Sequence, residues 1–311
     1  MPITTAEAYA PASMGNVGVG FDILGLAFEE PGDVVQVRLR DTPGVAVVAI
    51  EGDGGALPFD PKKNTAAVAA QALLDTIGAR QGVDLTLYKR LPLASGLGSS
   101  AASAVAAAAA VNALFGSPLT KEELLPACLE GEACVSGYHA DNVAPSLLGG
   151  IVLIGGQGRI HRLPVPPGLW LALVTPDVAV PTAAARAVLP QSVSLAAMRA
   201  QTAAVALLVD ALHRGDIGQM AAAMEADGVV EPARAHLMPC LQQVRAAAKR
   251  AGALAVVISG AGPTLCAVCD TVDAARLAAA AMKAEYDQAG IGSAAQHCQV
   301  GTEGARVLCV K

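Results

Sequence analysis

Residues 92–102 read P-L-A-S-G-L-G-S-S-A-A and lie between two segments of different periodicity. Val83–Arg90 alternates in hydrophobicity, which predicts a half-buried strand, whereas Ser100–Phe115 is alanine-rich and predicts the strongest helix of the chain. A glycine-rich turn between strand and helix lets backbone N–H groups approach an anion, and the helix N-terminus adds free donors and a positive dipole end. The stretch therefore predicts a phosphate-binding loop, with a tight turn capped by a serine as the purely structural alternative. It is not a Walker loop, because the lysine of that motif is missing.

The elements on either side of this loop predict an α+β layered fold, with helices covering one face of a sheet. Residues 161–170 contain three prolines and a glycine, which predicts a linker and hence two domains, 1–164 and 165–311. Before the linker, the patterns predict a strand at Asp33–Arg40, a helix at Asn64–Ile77 capped by Asn64, a helix opened by a Thr120–Glu123 capping box, and a buried strand at Leu147–Ile154. After it, they predict strands at Leu169–Thr175, Leu254–Ser259, Thr264–Cys269 and Ala305–Val310, and helices at Ser194–Gly215, after Asp216, at His236–Gly252 and at Asp273–Ala289.

Composition excludes several classes of protein. The chain has 311 residues, of which 53% are hydrophobic and 15% charged, so it is a core-rich globular chain and not a disordered one. A net charge of −6 without a Lys/Arg run argues against nucleic acid, and 3% aromatic residues make aromatic stacking an unexpected basis for binding. Residues 1–10 do not look like a signal peptide, and the longest purely apolar stretch, Ala104–Val111, is short for a membrane span, which predicts a cytoplasmic protein. Seven cysteines suit reduced thiols, and the strand context of Cys266 and Cys269 argues against a zinc or redox pair.

Two further glycine-rich loops could contact a ligand. Residues 11–22, P-A-S-M-G-N-V-G-V-G-F-D, place Gly15, Gly18 and Gly20 beside Asn16 and Asp22. Glycines allow positive φ and close backbone approach, and the amide and carboxylate could orient a polar small molecule; an ordinary loop with an Asx turn is the alternative. Residues 259–264, S-G-A-G-P-T, read as a hairpin loop whose excess of glycine slightly favours ligand contact.

Residues 130–142, E-G-E-A-C-V-S-G-Y-H-A-D-N, concentrate acidic and amide side chains after a predicted helix. Mg²⁺ is held by one or two carboxylates together with phosphate oxygens, so Glu132 is the candidate metal ligand. His139 with Asp141 also suggests a hydrolase triad. No G-x-S-x-G elbow supports that alternative, and a His–Asp pair made for packing is the commoner case.

The three loops, in this order and over nearly the whole chain, resemble the GHMP small-molecule kinases, whose P-x-x-x-G-L-G-S-S-A motif stands at 92–101. Four stretches look like the branch of that family that phosphorylates L-homoserine: S-x-x-N-x-G-x-G-F-D at 13–22, H-A-D-N-V-A-P-S-L-L-G-G at 139–150, P-T-A-A-A-R-A-V-L-P at 181–190 and E-P-A-R-A-H-L-M-P at 231–239. Met14 and Gly15 stand where Ser-Ala is usual, and Val19 where Pro is frequent. The resemblance implies a two-domain GHMP kinase fold, with an N-terminal mixed-sheet nucleotide-binding domain like domain 2 of ribosomal protein S5 and a C-terminal ferredoxin-like α/β sandwich.

The resemblance also implies the activity: transfer of the γ-phosphoryl group of ATP to the side-chain hydroxyl of L-homoserine, for threonine synthesis, in a homodimer. A zwitterionic substrate needs cations for its carboxylate, which suits Arg186 and Arg234, and acids for its ammonium, which suits Asp22 and Asp141 with Asn16. The family pattern adds His139 and Thr182 to the substrate site, and Ser100 and Glu132 as the Mg²⁺ ligands. It assigns ATP binding to Asn64, Lys89, Pro92, Ser95, Gly96, Leu97, Gly98, Ser99, Ser100, Gly260 and Gly262.

Asn142 is expected beside the accepting hydroxyl, and an amide cannot take up a proton near neutral pH, which predicts catalysis without a dedicated side-chain base. Two alternatives stay open at this point. The chain could be a GHMP kinase of another small alcohol, such as threonine, mevalonate or a sugar. It could also be a non-catalytic homologue that binds a metabolite, because fold does not fix function.

Overall fold

The computed structural model describes residues 3–311. The strands are β1 Thr5–Gly15, β2 Leu24–Arg40, β3 Val45–Glu51, β4 Gly82–Tyr88, β5 Ile151–Ile154, β6 Ile160–Leu163, β7 Trp170–Pro176, β8 Ala255–Ile258, β9 Leu265–Cys269, β10 Ser293–Cys298 and β11 Arg306–Val310. The helices are α1 Thr65–Thr76, α2 Ser99–Leu114, α3 Lys121–Ala133, α4 Ala140–Leu148, α5 Thr182–Ala187, α6 Leu195–Arg214, α7 Ile217–Met224, α8 Val230–Arg234, α9 Leu241–Arg250 and α10 Val272–Gln288.

The first sheet is mixed and has the strand order β11-β1-β2-β4-β3. In addition, β5 pairs with the first residues of β2, and β6 pairs with β5. β2 is long enough, at 17 residues, to pair antiparallel with β1, β4 and β5, whereas β3 and β4 run parallel. The final strand, β11, returns from the C-terminal half and pairs with β1. The two halves of the chain are therefore joined through a shared sheet as well as through a linker.

Helix α2 is the centre of the first core. Every residue of α2 except Ser100 is buried, and most are alanines. Small, uncharged side chains on all faces let a helix pack against a sheet and against other helices at once. Leu73, Leu85 and Leu147, from α1, β4 and α4, belong to the same core as α2. The packing of α2 in this core thus holds its N-terminus in a fixed position.

The second sheet is antiparallel, with the strand order β10-β7-β9-β8. Along the chain the elements run β7, helices, β8, β9, α10, β10, which is the ferredoxin-like arrangement that was expected. Alternate residues of β7 belong to different cores: Leu171 and Leu173 to the first, Ala172 and Val174 to the second beneath α9 and α10. Both faces of this sheet are covered, so the expectation of helices on one face only is wrong.

The same alternation separates the two cysteines of the C-x-x-C pair. Cys266 lies in the first core and Cys269 in the second, and all seven cysteines are free thiols. Among residues 3–311 no group of three His, Cys, Asp or Glu side chains has a metal-binding arrangement. Four of the seven, Cys128, Cys266, Cys269 and Cys298, are buried as small hydrophobes, whereas Cys134 is exposed and Cys240 and Cys309 are half-buried, so the expectation of buried thiols holds for these four.

Most predicted elements are present, and three differences matter for the site. The predicted strand 147–154 begins only at Ile151, because 140–148 form the helix α4. The helix predicted from His236 begins at Leu241, since Cys240 has a φ of 56° and α8 with a short 3₁₀ turn precedes it. β1 extends into the first glycine loop as far as Gly15, and nearly all of its residues are buried, so it shows no alternation. The boundary between residues 164 and 165 falls between β6 and β7 and stays a prediction, as does the extent of a first domain whose residues 1–2 lie outside the described range.

Candidate active site

A cavity of about 370 Å³ lies where the three glycine-rich loops meet. It is bounded by the start of α2, the end of α3, the start of α4, and the helices α5 and α8. Most of the side chains and glycines expected in a site line it. They are Asn16, Asp22, Lys89, Ser95, Gly96, Gly98, Ser99, Ser100, Glu132, His139, Asp141, Asn142, Thr182, Arg186, Arg234 and Gly260.

The phosphate-type loop leaves the N-terminus of α2 open to this cavity. Gly98 is the N-cap of α2, has a φ of 61° and supplies no side-chain hydrogen bond, so the alternative of a serine-capped turn is wrong. The N–H groups of Ser99, Ser100 and Ala101 have no acceptor among the described residues. Free amides and the positive end of the helix dipole at one point form an anion-binding site.

The third glycine-rich loop holds the phosphate-type loop in place. Gly96 has a φ of 80°, and a Cβ there would lie 2.3 Å from the carbonyl oxygen of Ser259. The Ser259 hydroxyl donates to the Gly96 carbonyl at 2.7 Å, and the Thr264 N–H donates to the Ser95 carbonyl at 3.1 Å. The glycines of both loops therefore permit a direct backbone contact between the two halves of the chain.

Lys89 supports the same loop from inside the protein. Its buried ammonium forms an ion pair with Asp33 and donates to the Ser99 carbonyl at 2.7 Å and to the Ser103 hydroxyl at 3.0 Å. Burial lowers the pKa of Lys89, and Asp33 opposes that shift. All three N–H bonds of the ammonium have partners within the chain, so none is free for the ATP contact that the family pattern assigns to Lys89. No sequence pattern indicated a role for Asp33 or Ser103 at this loop.

Four of the residues expected at the nucleotide do not line the cavity: Asn64, Pro92, Leu97 and Gly262. Asn64 caps α1 by accepting from the N–H groups of Ala66 and Ala67, while its Nδ2 donates to the Pro58 carbonyl. The Oδ1 atom of Asn64 is thus committed to the cap, and a ligand contact through that oxygen would compete with it. Residues that sequence reasoning missed, including Leu57, Thr65 and Val135, line the cavity instead.

Glu132 is a buried carboxylate with an incomplete set of partners. The Ser136 hydroxyl donates to its Oε1, whereas Oε2 is buried and has no hydrogen-bond partner. Burial raises the pKa of Glu132, and the hydroxyls of Ser136 and Ser100 act against that shift. The buried carboxylate oxygen of Glu132 lies beside Ser100 and the anion-binding N-terminus of α2. Mg²⁺ in proteins is commonly bound by one or two carboxylates together with phosphate oxygens. The residues therefore fit that metal, and Ser136 is a neighbour that the sequence did not indicate.

The other end of the cavity carries the charged residues expected for a substrate. Arg186 binds Asp22 bidentately, at 2.7 and 3.1 Å, and His139 Nδ1 lies 3.7 Å from Asp22 Oδ2. His139 therefore meets Asp22 and not Asp141, and no catalytic serine completes a hydrolase triad with it among the described residues. Burial raises the pKa of Asp141 to about 7, with further contributions from the charges of Asp22 and Glu132.

Arg234 is buried, at 3% exposure, and is held by backbone carbonyls alone. Its Nε donates to the Ala185 carbonyl at 3.1 Å and its Nη1 to the Gly260 carbonyl at 2.9 Å. No ion pair or hydrogen bond within the described chain uses its Nη2. A buried cation without a carboxylate partner, at the wall of a cavity, favours an anionic ligand group.

The first loop packs around Asn142 and Asn16. The Ser13 hydroxyl donates to Asn142 Oδ1 at 3.1 Å, and a Cβ on Gly15 would lie 2.7 Å from Asn142 Nδ2. Asn16 Nδ2 donates to the Gly260 carbonyl, and its Oδ1 accepts from the Asp22 N–H.

The positive φ values of this loop are at Asn16 (70°), Val17, Gly18 and Asp22 (58°). Of the three glycines only Gly18 uses a positive φ, whereas Gly15 and Gly20 permit the close approach of neighbouring side chains.

Comparisons with known proteins agree with this arrangement. The family model "GHMP kinases N terminal domain" matches residues 64–150, and "GHMP kinases C terminal" matches residues 208–288. A protein from Chloroherpeton thalassium named homoserine kinase is 42% identical over 314 residues, covering 96% of this chain and 98% of its own. The crystal structure of homoserine kinase from Cytophaga hutchinsonii is 41% identical with a TM-score of 0.94, covering 98% of this chain and 97% of that one. An L. major mevalonate kinase in complex with R-mevalonate is similar in fold alone, at 18% identity and a TM-score of 0.72, covering 97% of this chain and 98% of that one.

The raised pKa of Glu132 predicts that its charge lowers stability. A carboxyl group whose pKa is higher in the folded than in the unfolded state costs stability once the pH exceeds the unfolded value. We therefore expect Glu132→Gln to raise the melting temperature of the ligand-free protein at pH 7 by a few degrees, measured by calorimetry. Glu130→Gln, on an exposed side chain nearby, is the control and should leave the melting temperature unchanged. A melting temperature of Glu132→Gln below that of the native chain would contradict this account.

Proposed function

The chain belongs to the GHMP kinase family and, within it, to the homoserine kinases, and on that premise we propose that it transfers the γ-phosphoryl group of ATP to the side-chain hydroxyl of L-homoserine. The observation that carries this proposal is the composition of the 370 Å³ cavity described above. Free helix amides and a buried carboxylate stand at one end, and two arginines with two aspartates stand at the other. The first set suits a nucleotide triphosphate and the second a zwitterionic amino acid.

At the nucleotide end, the N–H groups of Ser99, Ser100 and Ala101 would hold phosphate oxygens. Ser100 and Glu132 would hold Mg²⁺, which neutralises phosphate charge when it is bound. Phosphoryl transfer passes through a loose transition state, so that positioning and charge stabilisation supply most of the catalysis. The buried position of α2 serves that purpose because it fixes these N–H donors before the reaction starts.

At the amino-acid end, Arg234 and Arg186 would bind the substrate carboxylate, and Asp141, Asp22 and Asn16 the ammonium. Asp141 gains most from such a partner, since it is 4% exposed and lies among other carboxylates. Asn142 lines the cavity between the two ends, near the place of the accepting hydroxyl. It cannot act as a base, which supports catalysis by positioning without a dedicated side-chain base.

The product, O-phospho-L-homoserine, suits a role in threonine synthesis. We further propose the cytoplasm as the location, in agreement with seven free thiols.

One experiment separates this function from its rivals. ADP release is measured with L-homoserine, L-threonine, mevalonate and galactose as acceptors at saturating ATP and Mg²⁺. We expect L-homoserine to give the highest kcat/KM, because a neutral sugar leaves Arg234 and Asp141, the two charges of this end without an ion pair, uncompensated. A higher value for another alcohol would overturn the substrate, and no turnover with any acceptor would favour a non-catalytic homologue.

Arg234→Leu should raise the KM for L-homoserine by about 10- to 100-fold, the usual value of a charge-assisted hydrogen bond, while the KM for ATP stays near its native value. Steady-state kinetics with each substrate varied in turn measure both constants. Arg276→Leu, on an exposed face of α10 that does not line the cavity, is the matched control. Equal rises in both constants would remove Arg234 from the amino-acid site.

The pH dependence of substrate binding should follow Asp141. Its carboxyl has a pKa of about 7, so its charge is lost as the pH falls below that value, and the ammonium loses its partner. We expect kcat/KM for L-homoserine to fall roughly tenfold per pH unit on the acidic side. Asp141→Asn should have a low kcat/KM and lack this acidic limb. Burial lowers the pKa of His139, so its protonation also belongs to the acidic side, and His139→Asn is measured beside Asp141→Asn. A limb that persists in Asp141→Asn and vanishes in His139→Asn would contradict the assignment.

We also propose a homodimer formed through α6, the one helix among residues 3–311 with the length and apolar character of a membrane span. Its exposed ridge contains Arg199, Ala203, Ala206 and Asp210, with Leu195 79% and Leu207 47% exposed beside it. Charges at both ends of the ridge disfavour lipid. In an antiparallel pair of α6 helices centred between Ala203 and Ala206, Arg199 of each copy faces Asp210 of the other. Arg199 has no ion pair within the described chain, whereas Asp210 pairs with Arg214 of its own helix at 2.9 Å, so in the dimer Asp210 would be shared between Arg214 and Arg199 of the second copy.

Light scattering after size exclusion tests this pairing. We expect a dimer for the native chain, loss of the dimer in Arg199→Asp, and its recovery when Asp210→Arg is added, because the double variant restores both cross-copy pairs. A monomeric native chain, or a dimer that Arg199→Asp leaves intact, would exclude this interface.

A further inference from the structure

Phe21 lies beside both arginines of the amino-acid end. Its ring centroid is 5.4 Å from Cζ of Arg186 and 5.6 Å from Cζ of Arg234. Both distances are within the range in which a cation is attracted to the negative face of an aromatic ring. The ring is half-buried in the first loop, next to Asp22, in a chain whose low aromatic content gave no reason to expect aromatic recognition.

The two guanidiniums lie close together, and only one of them has an acidic partner, so both gain from an aromatic ring beside them. Arg186 is neutralised by Asp22, whereas Arg234 is bound only by the carbonyls of Ala185 and Gly260. Ala185, whose carbonyl accepts from Arg234, directly precedes Arg186 in α5. The two arginine side chains are therefore held at the same wall of the cavity. After burial itself, the charge of Arg186 is the largest influence that lowers the pKa of Arg234, so the two cations repel each other.

On the basis of the proposed function, we propose that Phe21 is a positioning residue for the substrate carboxylate: its ring attracts both guanidiniums and holds them facing the same anion. The ring lowers the cost of keeping Arg234 charged, buried and free of a carboxylate partner. It also fixes the direction of a long, flexible side chain without using the N–H groups that the substrate needs.

Graded fluorination of Phe21 tests this role without changing the shape of the side chain. Site-specific incorporation of mono-, di- and trifluorophenylalanine removes negative charge from the ring face in steps, while the ring keeps its place in the loop. We expect the KM for L-homoserine to rise with each fluorine, to about tenfold in Phe21→Leu, with the KM for ATP unchanged. Phe21→Tyr, which keeps an electron-rich ring, should retain near-native constants.

A substrate without the carboxylate gives the internal control. The KM for 3-aminopropan-1-ol, which lacks only that group, should not change along the fluorinated series. Phe115→Leu, at the far end of α2, controls for the loss of a phenyl ring and should leave the KM for L-homoserine unaltered.

The outcomes separate this inference from the function on which it rests. If the native chain does not phosphorylate L-homoserine, the proposed function fails. If it does, and the KM for L-homoserine is the same at every level of fluorination, Phe21 only fills space and the inference is overturned. A rise of the KM for 3-aminopropan-1-ol equal to that for L-homoserine would also overturn it, since the effect would then not concern the carboxylate.

Discussion

The geometry of the site depends on one constraint: the first turn of α2 must present its N–H groups to the cavity without a partner from the chain. A side-chain cap would satisfy these donors, and Gly98 supplies none. The turn is instead fixed from behind, by the Lys89 ammonium on the Ser99 carbonyl and by Asp33 on Lys89. Gly96 is fixed from the side by Ser259, a residue of the second sheet's hairpin. Both halves of the chain therefore contribute to the position of one anion site, which explains why the cavity lies between them.

The charges of the cavity are arranged at the expense of stability. Glu132, Asp141 and Arg234 are all buried, and none has an oppositely charged partner within 4 Å in the described chain. Burial shifts the pKa of each group towards its neutral form. A cation near Glu132, an ammonium near Asp141 and a carboxylate near Arg234 would each reverse that shift. Substrate binding thus supplies the oppositely charged partners that the folded chain lacks. The free energy that burial of these charges costs the free protein is recovered on binding and adds to the affinity.

Sequence reasoning identified the parts of the structure that have strong local signals. The Asn64 cap, the Thr120–Glu123 capping box and the central helix α2 follow from side-chain chemistry within a few residues of each other. The residues it missed depend on contacts between distant segments. Asp33 is 56 positions from Lys89, and Phe21 meets arginines from two other elements. β1 escaped prediction because a strand buried on both sides has no alternation. The family pattern assigned Asn64 to ATP binding, although its Oδ1 caps α1.

The most direct test of this account is a crystal structure of the protein with a non-hydrolysable ATP analogue, Mg²⁺ and L-homoserine. The account predicts phosphate oxygens within hydrogen-bonding distance of the Ser99, Ser100 and Ala101 N–H groups. It also predicts the amino-acid carboxylate at Arg234. A triphosphate bound elsewhere, with these three amides facing no anion, would contradict it.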